Sequence, residues 1–281
     1  MPSRRNFLKL GAVSLTAPDL ISSIYNSKKI SAKTNAGADF LHLGIAGYSF
    51  LNFTIEQSIA IMQRVGISSL SIKDFHLPLN STQEKIEEVK AKFHAANISI
   101  YAVGVIYMKS EAEVKNAFEY AKKVGVGLIV CAPDYDLLEA LEQQVKSTNI
   151  RAAIHNHGPE DKLYPGPKDV YDRIKNLDKR IGLCLDIGHA MRANVEPSKA
   201  VAEYGSRIYD MHIKDVSAAV NEGKSIEVGR GIIDYVSLIT ELKKIKYSGN
   251  CSFEYENLMK DPLPGIAESE GFFRGVERAL N

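Results

Sequence analysis

From Leu41 onward, apolar runs alternate with amphipathic stretches. Eight runs predict strands, over 41–47, 68–73, 98–104, 127–132, 150–155, 181–186, 207–213 and 250–255. They are β-branched or leucine-rich and nearly continuous, as strands covered on both faces should be. The stretches between them carry a helical period. Ile55, Ile59 and Met62 recur at helical spacing behind Thr54, a candidate cap. Ser81 and Glu84 suggest a capping box ahead of Ile86, Val89 and Phe93. Val236, Ile239 and Leu242 share one face of a helix expected to run to Gly249. Strand then helix, eight times, predicts an α/β chain closed into a (β/α)8 barrel, one domain over residues 39–281. A doubly wound open sheet is the alternative. No glycine-rich phosphate loop follows any strand, and GVGL at 125–128 precedes one instead.

The first residues follow a different rule. SRRNFLK at 3–9 resembles a twin-arginine export signal, and 28–38 (KKISAKTNAGA) reads as a linker. The apolar stretch between them is short and broken by Pro18 and Asp19, too poor for a membrane span. Residues 1–38 are therefore expected to be a signal and linker that send an already folded protein to the periplasm. This segment also changes the charge picture. The net charge of the chain is +1, but residues 1–38 hold six Lys/Arg and one acid. The remainder carries 29 Lys/Arg against 33 Asp/Glu, which argues against a duplex nucleic-acid binder. Cys131, Cys184 and Cys251 each lie inside an apolar run, odd in number and without metal-site spacing, so they read as small core residues.

Five of the seven histidines (His76, His155, His157, His189 and His212) fall where a predicted strand ends. Asp186 and Glu254 take equivalent places. In barrels and open α/β sheets the chemistry lies at the carboxyl ends of the strands. A carboxylate there is costly to bury alone, and a metal or a basic partner removes the cost. Asp186, His212 and Glu254, on successive strands, converge as ligands of one divalent ion must. Mixed nitrogen and oxygen donors suit Mn2+, Zn2+, Co2+ or Fe2+ better than Ca2+.

IHNHG, LDIGHA, RIYDMHIKD, VGRGIID and SGNCSFEYE together resemble the xylose isomerase-like TIM-barrel superfamily, the sugar phosphate isomerase/epimerase group, from Leu41 to about Ala279. The resemblance implies one divalent metal, Mn2+ foremost with Zn2+, Co2+, Mg2+ or Fe2+ as alternatives. It would be held by residues of strands five to eight, here Asp186, His212 and Glu254 with a strand-five residue. That family has a glutamate on strand five where this chain has His155-Asn156-His157. His155 aligns best as the ligand, with His157 and Glu160 as alternatives. By the same resemblance His189 contacts substrate, Arg230 reaches it, and His76 and Lys73 line the mouth.

The expected activity is that of an isomerase or epimerase acting on a sugar or cyclitol. A metal would polarise a carbonyl and stabilise an enediolate, while Glu254 or His157 removes the adjacent proton with help from Lys214 or His189. β-Elimination from a 3-keto-glycoside or a keto-inositol uses the same chemistry and is the lyase alternative. A non-catalytic sugar-binding barrel is a third reading. The endonuclease branch of the superfamily fits poorly: ISIYAVGVIYM offers no histidine and SIEVGRG lacks the Asp-x-His of the extra metal. The expected partner is a small sugar or cyclitol, with no nucleic acid and no membrane span; a homo-oligomer is compatible with the pattern.

Overall fold

The computed structural model describes residues 39–281, so the export signal and linker expected over 1–38 lie outside the described residues. Eight parallel strands close into a barrel. In chain order the strands are β1 (His42–Ala46), β2 (Ser69–Ile72), β3 (Ser99–Met108), β4 (Leu128–Pro133), β5 (Arg151–His155), β6 (Ile181–Asp186), β7 (Ile208–Ile213), the short antiparallel pair β8 (Asp215–Val216) and β9 (Ser225–Ile226), and β10 (Asn250–Phe253). Around the barrel β1 lies between β2 and β10, and β10 between β1 and β7, so the eighth stave closes the ring.

The helices are α1 (Ile55–Val65), α2 (Gln83–Ala95), α3 (Glu111–Val124), α4 (Leu138–Thr148), α5 (Pro167–Ile174), α6 (Ile187–Arg192), α7 (Pro197–Tyr204), α8 (Tyr235–Lys244) and α9 (Leu263–Ala279). No helix among the described residues is long and apolar enough to cross a membrane. The main core lies between the strands and this outer layer, where Ile45, Met62, Ile86, Val89, Phe93, Phe118 and Phe273 are fully covered. Inside the ring the side chains are small: Ala102, Ala132, Ala153 and Cys184 pack with Val105, Leu128 and Val130, flanked by Tyr101 and Tyr209. Layers of side chains from alternate strands fill the ring. All three cysteines are free and buried.

Several local expectations need correction. The cap of α2 is Thr82, whose hydroxyl accepts from Lys85 N at 3.3 Å. Ser81 N instead donates to Pro78 O, spending that residue on the turn before the helix. Helix α8 stops at Lys244, because Lys246 takes φ 53° and Tyr247 N reaches back to Leu242 O. Its buried face is Tyr235, Leu238, Ile239 and Leu242, while Val236 is exposed. Strand β3 runs to Met108, beyond the expected 98–104, because Ile106, Tyr107 and Met108 continue the pairing with β4. The α1 cap follows the pattern: Thr54 and Gln57 form a reciprocal box.

Candidate metal centre

Parallel register delivers the ends of β5, β6, β7 and β10 to one place. Asp186 pairs with His212 across β6 and β7, and His155 pairs with Cys184 across β5 and β6. Glu254 follows β10, its N–H bonded to Ile213 O. The result is a buried set of four donors, one each from His155, Asp186, His212 and Glu254, all within 4.8 Å of one another.

Each donor is aimed by its surroundings. Asp186 ends β6 and caps α6: Oδ1 accepts from His189 N at 2.8 Å, which leaves Oδ2 for the cluster. Asn156 is fully buried and bonds both Asp186 N and Asp186 O, each at 3.0 Å, so it clips β5 to β6 beside the site. Asp186 Oδ2 lies 4.0 Å from His155 Nε2 and 4.0 Å from His212 Nδ1. His212 Nδ1 is 3.1 Å from Glu254 Oε2, close but misaligned for a hydrogen bond.

Lys214 enters from just past β7. Its ammonium lies 3.0 Å from Asp186 Oδ2, 2.8 Å from Glu254 Oε2 and 2.8 Å from Glu256 Oε2. Gly188 makes this approach possible, since a Cβ there would meet Lys214 Cγ at 2.3 Å. Next in sequence, Asp215 is buried and accepts four backbone N–H groups, from Val216, Gly229, Gly231 and Ile233. It therefore shapes the 229–233 loop.

Burial sets most of the protonation. It pushes the Asp186 carboxyl up to about 7, against the pull of Lys214. Burial alone would raise Glu254 too, but His212 and Lys214 outweigh it and hold that carboxyl well below its usual range. For Lys214, burial opposes the charge, and Asp186, Glu254 and Glu256 overcome it, keeping the ammonium protonated. His155 is held neutral by burial and then by His212. Burial works against the His212 proton, but Glu254 together with Asp210 and Asp186 outweighs it, so the ring keeps its proton more firmly than usual. Burial and then Lys214 push His189 down to about 2.

The donor set fits a divalent ion on its own evidence. His155 Nδ1 and both nitrogens of His212 are buried without a hydrogen-bond partner, and Asp186 Oδ2 has only the Lys214 ammonium beside it, an unusual concentration in one place. Two donors, each about 2.1 Å from an ion, stand at most about 4.2 Å apart. Only a trans pair reaches that spacing; donors at a tetrahedral angle stand about 3.4 Å apart, so the 4.0 Å separations of Asp186 Oδ2 from His155 Nε2 and His212 Nδ1 must close by roughly half an ångström.

The other expected site residues are distributed unevenly. The His157 ring lies 4.5 Å from that of His155, and its Nε2 bonds the Tyr107 hydroxyl at 2.9 Å. Glu160 turns away from the cluster to Arg192, at 2.8 Å. His189 stands beside the cluster, its ring 6.0 Å from that of His155. Lys73 donates to Val105 O at 2.6 Å and pairs with Asp74 at 3.1 Å. His76 bonds Phe53 O at 2.8 Å, tying the loop after β2 to the one after β1. Arg230 does not join the cluster. Its side chain is 61% exposed and its guanidinium pairs with Glu268 of α9, because Asp215 holds Gly229 and Gly231 on either side and turns the loop outward.

Tyr107, Asn156, Arg192, Asp215 and Glu256 belong to this neighbourhood as well. Glu256 and Asn156 had a usable signal, each lying within two residues of a strand-end donor. Tyr107 had none, since its partner is 50 residues away, while Arg192 offered only its three-residue spacing from His189.

Comparison with known proteins agrees with this architecture. An uncharacterized protein of Methanocaldococcus jannaschii is 30% identical over 95 residues, 33% of this chain and 32% of that protein, so the match spans about a third of either. Among solved structures, the IOLI protein with a bound zinc atom superposes with TM-score 0.71 at 17% identity, covering 86% of this chain and 99% of that one. The 3-keto-D-glucoside 4-epimerase YcjR from E. coli superposes with TM-score 0.66 at 17% identity, covering 84% and 99%. At such identities the likeness speaks for the fold. A family model described as xylose isomerase-like TIM barrel matches residues 59–275, most of the described chain, and the chain belongs to that family.

Proposed function

We propose that this protein is a divalent-metal-dependent enzyme that isomerises or epimerises a sugar or cyclitol by moving a proton next to a carbonyl. The observation that carries the reading is the buried convergence of His155, Asp186, His212 and Glu254 at one end of the barrel. A divalent ion bound there would act as a Lewis acid on a substrate carbonyl and make the adjacent C–H more acidic. The remaining chemistry belongs to the side chains. Glu254 is kept ionised by His212 and Lys214, so it can accept that proton. Lys214 balances the carboxylates of Asp186, Glu254 and Glu256. His157 stays neutral through burial, with Asp161 pulling the other way, and its Nε2 contacts the Tyr107 hydroxyl. That pair is a second proton donor or acceptor on the tyrosine side of the pocket.

The charge pattern supports a neutral substrate. The part-buried cations at the mouth already have carboxylate partners: Lys73 has Asp74, Lys214 has three, and Arg192 has Glu160. A phosphate or carboxylate on the substrate would have to break one of these pairs. A free or oxidised sugar, a glycoside or an inositol fits better, and the name 3-keto-D-glucoside 4-epimerase of one structural neighbour leans the same way. The twin-arginine-like start supports action in the periplasm, which a reporter fused behind residues 1–38 would test by its export.

The test is to incubate the metal-loaded protein with free sugars, 3-keto sugars and inositols in D2O and follow proton NMR. Exchange of the proton next to the carbonyl, with an isomer or epimer appearing, is expected. Loss of a leaving group would move the assignment to elimination. A complete absence of exchange across the panel would defeat the proposal.

A further inference from the structure

Arg192 ends α6 beside the cluster, and its guanidinium makes four contacts with three partners. Nε and Nη2 donate to Asn221 O at 3.1 and 2.6 Å, Nη2 also pairs with Glu160 Oε1 at 2.8 Å, and Nη1 lies 3.2 Å from His189 Nδ1. Only 15% of the side chain is exposed. The loop after β5 closes over this meeting point. Gly158 has φ +97°, and a Cβ there would lie 3.0 Å from Glu160 Oε2, 3.2 Å from His189 Nδ1 and 3.4 Å from Arg192 Nη1. The loop after β5, helix α6 and the β8–β9 turn are thus tied together at one guanidinium.

The chemistry of this contact has only one solution. A guanidinium has donors and no acceptor, and it does not deprotonate in proteins. Nη1 therefore donates and His189 Nδ1 accepts. The ring proton must then sit on Nε2, because the bond made by one ring nitrogen decides the state of the other. Nε2 has no hydrogen-bond partner among the described residues, and the ring stands 6.0 Å from that of His155 and 6.4 Å from that of His157. At its other end, His189 is held by its backbone N–H to Asp186 Oδ1 at 2.8 Å.

We propose that Arg192 is a positioning residue that locks His189 in the Nε2–H tautomer, so that His189 offers a fixed, neutral hydrogen-bond donor to a substrate oxygen and takes no part as a base. This assigns proton removal to Glu254 and His157 and leaves His189 to polarise, in the manner of a preorganised donor. The part played on substrate rests on the proposed function above; the tautomer itself does not.

The experiment uses the full chain with 15N-labelled histidine, both loaded with diamagnetic Zn2+ and without added metal. A two-bond proton–nitrogen correlation spectrum reads the tautomer of each ring, and His189→Gln identifies the His189 signals. The wild type is expected to show a single Nε2–H pattern for His189. Arg192→Met is expected to give a mixture of tautomers, and Arg192→Lys, which keeps a donor, to restore the single pattern at least in part. Glu160→Gln loosens Arg192 without removing it, so it is expected to give a weaker version of the same change should Arg192→Met fold poorly. With an active substrate in hand, Arg192→Met should lower kcat on the order of tenfold while KM moves little, a smaller loss than deleting a donor outright. An Nδ1–H or mixed pattern in the wild type, or an unchanged spectrum in Arg192→Met, would overturn the proposal. Absence of turnover in every protein would count against the proposed function and leave the tautomer result standing.

Discussion

Asp215→Asn is the sharpest test of how the site is built. Asp215 Oδ1 accepts from Val216 N at 2.9 Å and Ile233 N at 3.2 Å, while Oδ2 accepts from Gly229 N at 3.0 Å and Gly231 N at 3.1 Å. Two donors converge on each oxygen, so neither orientation of an asparagine amide can serve all four. One pair keeps an oxygen, and the other pair faces an NH2 group. Two backbone donors left without partners cost about 1–3 kcal/mol each, and the surviving bonds lose the help of a full negative charge. The sum is on the order of 3–5 kcal/mol, a large share of the roughly 5–15 kcal/mol that holds a typical protein folded. Urea unfolding followed by circular dichroism should show a lower midpoint at an unchanged slope. Trypsin should also cut sooner at Arg230, in the loop Asp215 holds. A loss below about 1 kcal/mol would refute the idea that this carboxylate organises the 229–233 loop.

Other outcomes follow from the same structure. His155→Ala should weaken binding of a divalent ion by at least on the order of a hundredfold, since it removes one of four donors; full affinity, measured by competition with a chelating dye, would move the strand-five position elsewhere. Glu254→Gln keeps the shape of the site but loses the proton acceptor, and kcat should fall on the order of a thousandfold in a protein that unfolds normally. Burial lowers the His76 pKa below 6.5, so on acidification the unfolded chain takes up the proton first and the folded state loses stability below that pH. His76→Gln retains an N–H for Phe53 O and does not titrate, so between about pH 7.5 and about pH 5 it should lose less stability than the wild type. Parallel losses would show that His76 does not contribute to the acid sensitivity.

Much of this architecture is legible along the chain because its physical causes are local. Strands covered on both faces must be apolar throughout, which is why runs such as IGLCLD and LIVCAP stand out. Ligand-type side chains at the ends of those runs, Asp186, His212 and Glu254, announce a pocket because parallel strands present equivalent ends on one side. The parts that escape are set by non-local contacts. The pairing of Arg230 with Glu268 is set by the carboxylate of Asp215, fourteen and more residues from the loop it holds. Arg192 ends α6, while Glu160 and Asn221 lie in two separate loops, and nothing in their spacing brings them to one guanidinium. The difference between Ser81 and Thr82 as the α2 cap was decided by a turn hydrogen bond to Pro78, which local propensity does not encode.

The most direct measurement counts ions. Purified protein is stripped with chelator, reconstituted with Mn2+ or Zn2+ and passed through a desalting column before elemental analysis. The wild type should retain one equivalent and the double variant Asp186→Ala, His212→Ala none, at unchanged helix content. Wild-type protein that emerges free of metal, or a double variant that still carries its full equivalent, would contradict that expectation.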